Sequence, residues 1–181
     1  ARVKQLSSMD QYNLNEHLGK IQKDKLEAIE KEINNYKTIY GLIDYTDMLD
    51  KWLEPKGTAP QFEVIFVDEA QDLSLIQWSM IKKLEENYCN DVWIAGDDDQ
   101  AIFGWAGADV NSFINWKAKQ IPLTKSKRVP QLIQQKALDV IERINTRLDK
   151  QYLPKPEIGN INQRFKLADI DISKGQWLIL T

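Results

Sequence analysis

An apolar run that stops abruptly at two adjacent carboxylates, Val64-Ile65-Phe66-Val67-Asp68-Glu69, constrains the fold of this chain more than any other feature. A continuous run of Val, Ile and Phe reads as a parallel strand buried on both faces. In open α/β sheets the ligand crevice lies beyond the carboxyl ends of such strands, so Asp68 and Glu69 are expected at the mouth of a site. An acidic pair there suits magnesium-assisted attack of water on a phosphate. The plainer alternative is a strand ending in a solvated acidic turn.

The pattern recurs further along. Val92-Trp93-Ile94-Ala95 is a second short apolar run, and it ends in the polar loop Gly96-Asp97-Asp98-Asp99-Gln100. A helix-length segment separates the two runs, which makes a βαβ unit. Gly96, Gly104 and Gly107 allow a tight backbone beside the site. Gln100 can both donate and accept hydrogen bonds. Phe103 and Trp105 are large rings on a polar loop, suited either to stacking on unpaired bases or to ordinary packing beneath the loop.

Composition fits a folded domain, or a domain and a part of another. Hydrophobic residues make up 43% of the 181, enough to supply a core. No apolar run approaches the roughly 18 residues that span a membrane. The single Cys89 cannot form an internal disulfide and fits a reducing compartment. His17 lies in a polar helical segment and reads as a surface residue, and no zinc-ligand spacing occurs. The net charge of −3 gives no bulk argument for nucleic acid, but its distribution is uneven. Residues 61–110 carry 11 acidic side chains against Lys82 and Lys83, and residues 117–155 carry ten basic ones against Asp139, Glu142 and Asp149. The basic half suits phosphates of a nucleotide or of DNA, or else a solvated helix face.

Together the two strand-end segments resemble the UvrD/Rep/PcrA family of superfamily-one DNA helicases. Asp68-Glu69-Ala70-Gln71-Asp72 is similar to that family's Walker B motif. Gly96-Asp97-Asp98-Asp99-Gln100-Ala101-Ile102-Phe103-Gly104-Trp105-Ala106-Gly107-Ala108 is similar to its motif III, a long and specific match. Asp44-Tyr45-Thr46-Asp47-Met48-Leu49 resembles the segment upstream of Walker B. Leu123-Thr124-Lys125-Ser126-Lys127-Arg128 resembles motif IV, where Leu-x-x-Asn-Tyr-Arg is usual. A phosphate-cradling loop, G-x-x-x-x-G-K-S/T, does not occur in the sequence. In the resembled family it lies well upstream of Walker B, so the chain is expected to be an internal piece of a longer helicase.

The resemblance implies a partial RecA-like (P-loop NTPase) parallel sheet with flanking helices, followed by the start of a second RecA-like domain. Residues 1–117 would belong to the first motor domain and 118–181 to the second. The implied activity couples ATP hydrolysis to translocation on single-stranded DNA and duplex unwinding, in the 3′ to 5′ direction, in DNA repair or replication. Asp68 would hold Mg²⁺, Glu69 would activate the attacking water, Gln100 would contact the γ-phosphate and couple it to DNA, and Arg128 would reach that phosphate from the second domain. Phe103 and Trp105 would stack on bases. The implied partners are ATP, single-stranded DNA and the remainder of the chain, with no membrane, in a prokaryotic or viral-host cytoplasm. The fragment by itself is expected to be inactive. A non-catalytic remnant that binds DNA or protein, and the motor of a helicase–nuclease, are the other readings. Two departures from the family stand out: Ala106 follows the motif III Trp where Arg is usual, and Lys127 holds the place of the adenine-packing Tyr.

Local signals complete the expectation. Leu14, Leu18, Ile21, Ile29, Ile33, Tyr36 and Tyr40 mark an amphipathic helix that Gly41 can end. Asp44 and Asp47 open a second helix reaching about Trp52, and Ser74 with Gln77 forms a capping box for a third that reaches about Asn87. A short helix is expected near 109–116, a strand over 120–124, and a helix opened by Pro130 with apolar Leu132, Ile133, Leu138, Ile141, Ile144 and Leu148. Residues 159–174 read as a polar loop and 176–181 as a strand. Loss of the phosphate-loop strand would leave sheet edges and apolar surface exposed, for the N-terminal helices or another chain to cover.

Overall fold

The computed structural model describes residues 23–161 and Ser173. Leu14, His17, Leu18, Ile21, most of the 159–174 loop and the expected strand at 176–181 lie outside them. The chain divides between Ala118 and Lys119 into two compact units.

In the first unit, helix α1 spans Lys23–Tyr40 and α2 spans Tyr45–Leu53. Gly41, at φ +63°, ends α1 in a left-handed turn that only glycine adopts without strain. The Leu42 N–H then donates to the Lys37 carbonyl, 2.9 Å away. Asp44 caps α2 reciprocally: its carboxylate accepts from the Asp47 N–H and the Asp47 carboxylate accepts from the Asp44 N–H, both at 2.8 Å. Lys37 pairs with Asp44 and with Asp47 (2.8 Å), which links the last turn of α1 to the first turn of α2.

Strand β1 is Phe62–Val67 and β2 is Cys89–Ile94; they pair in parallel, Val67 opposite Ile94 and Phe66 opposite Trp93. Helix α3, Leu75–Asn87, makes the crossover, so the expected βαβ unit is present. Ser74 and Gln77 pair at its start, the Ser74 N–H donating to Gln77 Oε1 at 2.9 Å. At its far end Lys83 donates to the Trp52 and Glu54 carbonyls (2.7 and 2.8 Å) with its ammonium over the Trp52 ring. That places a cation at the negative C-terminal end of α2.

The core lies on one face of the strand pair. Ala70, Trp78 and Ile81 are buried there, with Val67, Leu73, Val92, Ile94, Phe113 and Trp116 packed around them. The other face is open: Phe66 is 78% and Trp93 54% exposed, their ring centroids 6.4 Å apart. The expectation of a strand buried on both faces is therefore corrected. Alternate residues of each strand point to opposite faces, and α3 covers only one. The described helices leave the Phe66 face uncovered.

Helix α4, Val110–Ile114, is shorter than expected, and Asp109 caps it. In the second unit no regular strand forms over 120–124. Instead Leu153 N–H donates to the Thr124 carbonyl and Ser126 N–H to the Leu153 carbonyl, a single bridge between Lys125 and Leu153. Pro122 and Pro154, which have no N–H to donate, flank this bridge and limit the ladder. Helix α5, Gln131–Ile141, follows Pro130 as expected but stops before Ile144 and Leu148. Its last turn tightens into three-residue bonds, Arg143 to Val140 and Ile144 to Ile141. Its first N–H groups, which have no partner within a helix, donate to the Glu157 and Ile158 carbonyls. Among the described residues no helix is long and apolar enough to cross a membrane.

Asp44 titrates below its ordinary value of 3.8, first because the Lys37 ammonium bonds to it and second because the Asp47 N–H does. The stability it contributes is complete above pH 3.8 and is lost as pH falls through the depressed value. Asp44→Ala is expected to lower the unfolding free energy by about 1 kcal/mol at neutral pH. In urea denaturation the gap to wild type should close in acid; a gap unchanged below pH 3.8 would show that the carboxylate is not its source.

Candidate active site

Parallel pairing sends both strands out at the same end. Past their last paired residues the backbones stay joined: Ala95 N–H donates to the Val67 carbonyl (2.8 Å) and Ala70 N–H to the Ala95 carbonyl (3.0 Å). The loops after β1 and β2 are thus stitched together before either has turned away. Asp68 and Glu69 lie on the first loop, exposed at the strand end.

Glu69 is in the left-handed region, φ 50° and ψ 40°. For a residue with a Cβ this costs on the order of 1–2 kcal/mol. Its surroundings offset that cost. Its N–H donates to the Asp68 carboxylate at 2.9 Å. Its own carboxylate accepts from Gln71 Nε2 at 2.8 Å. The left-handed step turns the chain sharply from strand to the short 3₁₀ turn Ala70–Asp72, and buries Ala70 and Gln71 directly behind the two acids.

Gln71 links the two loops. Its Oε1 accepts the Asp97 N–H at 3.0 Å. The Asp97 carboxylate in turn accepts from Gln100 Nε2 at 2.7 Å and from the Asp99 N–H at 3.2 Å. Glu69 and Gln100 are therefore brought into one hydrogen-bonded chain, through Gln71 and Asp97. A Cβ on Gly96 would lie 2.6 Å from Gln71 Oε1 and 3.2 Å from the Ala70 nitrogen, so the expectation that Gly96 permits a close approach holds. Gly107 also meets it, with φ 106°. Gly104 does not: a Cβ there would meet open space, and its φ is not positive.

The second loop then returns. Asp109 N–H donates to the Leu73 carbonyl, 2.8 Å away, and Ala108 bridges Ser74. The segment between, 101–106, is held out from the body. Trp105 is 82% exposed and Phe103 42%, their centroids 6.4 Å apart and their planes tilted by 53°. Within this chain Trp105 does not pack beneath its loop. Trp78 is buried and Trp116 half-buried, their ring centroids 5.3 Å apart and planes tilted by 34°, and Trp52 is half-buried too.

Asp68 offers one carboxylate for a cation. Mg²⁺ in phosphate-handling sites takes one or two carboxylates and completes its shell with substrate oxygens and water, so this donor set fits it. Among the described residues there is no group of three or more His, Cys, Asp or Glu that would hold a metal without a substrate. Arg128 lies in the second unit, exposed, with its N–H on Ser126 Oγ at 3.2 Å; Lys127 beside it is exposed too.

Reasoning from sequence missed the roles of Gln71 and Asp97. A buried amide between two acidic loops leaves no periodic trace; the hint was Gly96, whose missing side chain had to admit something.

The family model of the UvrD/REP helicase N-terminal domain matches residues 2–121, which include both loops and end before Arg128. DNA helicase II of Haemophilus influenzae is 33% identical over 132 residues, 66% of this chain and 18% of that protein. ATP-dependent DNA helicase PcrA of Bacillus subtilis is 29% identical over 123 residues, 65% of this chain and 16% of that protein. DNA helicase II of Escherichia coli is 36% identical over 124 residues, 61% and 17% respectively. The chain thus spans less than a fifth of the length of these relatives. With that model matching residues 2–121, about two thirds of the sequence, the chain belongs to the UvrD/REP helicase family.

Proposed function

We propose that this chain is part of an ATP-dependent DNA helicase, and that the loops after β1 and β2 form the hydrolytic half of its nucleotide site. The observation that carries the reading is the hydrogen-bonded chain from the Glu69 carboxylate to Gln100, followed directly by the exposed Phe103 and Trp105. Groups suited to a phosphate and groups suited to bases share one loop. The names of the relatives, DNA helicase II and ATP-dependent DNA helicase PcrA, agree with it.

In this reading residues 1–117 are the later part of a first RecA-like motor domain and 118–181 the beginning of a second. Asp68 holds Mg²⁺, whose charge would neutralise that of the phosphates. Glu69 accepts a proton from the attacking water. Gln100 contacts the γ-phosphate, and Arg128 supplies positive charge from the second domain. Phe103 and Trp105 stack on successive bases of a single strand, and the motor moves 3′ to 5′ to unwind duplex ahead of it. ATP's other phosphates need a cradle that this sequence does not contain, so the remainder of the protein is a necessary partner. The setting would be DNA repair or replication in a prokaryotic or viral-host cytoplasm.

The purified 181 residues are expected to show no DNA-stimulated ATP hydrolysis, because the sequence has no G-x-x-x-x-G-K-S/T. Robust turnover abolished by Glu69→Gln would reverse this view. In the complete protein, Glu69→Gln is expected to bind ATP normally and to hydrolyse it at least ~10²-fold more slowly. Normal turnover by that variant would remove Glu69 from the role of base.

Trp105→Ala tests the DNA side. An exposed ring contributes little to folding, so the melting temperature should barely move. Single-strand affinity should weaken by about 1–3 kcal/mol, the usual scale for one stacked base. Unchanged affinity, measured by fluorescence anisotropy, would leave the ring without a role in DNA binding.

A further inference from the structure

Gln71 is 2% exposed, and both ends of its amide are committed. A backbone N–H can only donate and an ionised carboxylate can only accept. Oε1 must therefore face the Asp97 N–H and Nε2 the Glu69 carboxylate, so the amide cannot flip without breaking both bonds. A Cβ on Gly96 would lie 2.6 Å from Oε1, so only a glycine there admits the amide in this position. On the far side, Asp97 holds Gln100. The Glu69 side chain, carried on a strained left-handed residue, is thus oriented by a group whose position is set by the other loop.

We propose that Gln71 is a positioning residue. It ties the carboxylate of Glu69 to the backbone at Asp97, so that this carboxylate moves with the loop that carries Gln100, Phe103 and Trp105. Bases stacking on the two rings would then reach the attacking water through loop 96–105 and the Gln71 amide, and DNA would stimulate hydrolysis by this route. The inference rests on the reading of Glu69 as the base and of Phe103 and Trp105 as the stacking surface.

Gln71→Glu in the complete protein is the informative change. Its retained oxygen still accepts the Asp97 N–H, while the donor to Glu69 becomes a second carboxylate oxygen. The DNA-stimulated kcat should fall by about tenfold or more, the scale seen when a group orienting a reactive residue is lost. The ratio of DNA-stimulated to basal rate should fall towards one, with KM for ATP and single-strand affinity within roughly twofold of wild type. Gln71→Met, which removes both bonds at similar volume, should show the same loss of stimulation if it folds. Placed in a Glu69→Gln background, Gln71→Glu should cost nothing further, because it acts only through Glu69. A Gln71→Glu protein with normal kcat and normal stimulation, beside an inactive Glu69→Gln, would overturn the positioning role and leave the base intact. A further loss of rate in the Glu69→Gln background would assign Gln71 a purely structural part and overturn it too. If Glu69→Gln hydrolyses ATP at the wild-type rate, the underlying reading fails instead.

Discussion

The parallel pairing of β1 with β2 is the constraint on which the rest of the first unit depends. Two antiparallel strands would send their following loops to opposite ends. A parallel pair sends both to one end, and here the pairing continues past the strands through Val67, Ala95 and Ala70. The crossover helix α3 is the necessary companion of that choice. It also supplies Trp78 and Ile81, the buried side chains on which the loop carrying Ala70 rests. The acidic tip of each loop therefore sits on a packed base, and its position is inherited from the sheet.

The site divides into a buried side and an open side. Ala70 and Gln71 are buried, and they are the residues that join loop to loop and loop to core. Asp68, Glu69, Gln100 and Trp105 are exposed, and they are the residues proposed to meet magnesium, water, phosphate and bases. This separation has a physical basis. A polar group buried in the protein has to find its partners within the protein, as Gln71 does, whereas a group meant for a ligand must keep some of its hydrogen-bonding capacity for that ligand.

Charge adds a second condition. Two loops bearing Asp68, Glu69, Asp97, Asp98 and Asp99 repel a polyphosphate unless cations intervene. A metal ion at Asp68 and positive groups from elsewhere in the protein would meet that requirement under the proposed function. The face at Phe66 and Trp93 is open as well, although strands of this composition ordinarily lie between two layers.

Much of this was legible in the sequence because it depends on local or periodic signals. The Asp44 and Ser74 capping boxes located α2 and α3 to within a residue or so, since a cap is decided by side chains three positions apart. Apolar runs ending in acids gave β1, β2 and the βαβ crossover, and motif-length resemblance gave the family. The strand expected at 120–124 and the continuation of α5 to Leu148 did not form, because a ladder needs a partner and a helix needs continued packing, neither of which a local window contains. Whether Trp105 was core or surface could not be read from its neighbours; only the return of the loop to Leu73 holds it out in solvent. The role of Gln71 likewise belongs to tertiary structure alone. Sequence determined that an amide would stand two residues after Glu69, and the approach of a glycine 25 residues later decided that it would be buried, doubly bonded and unable to turn.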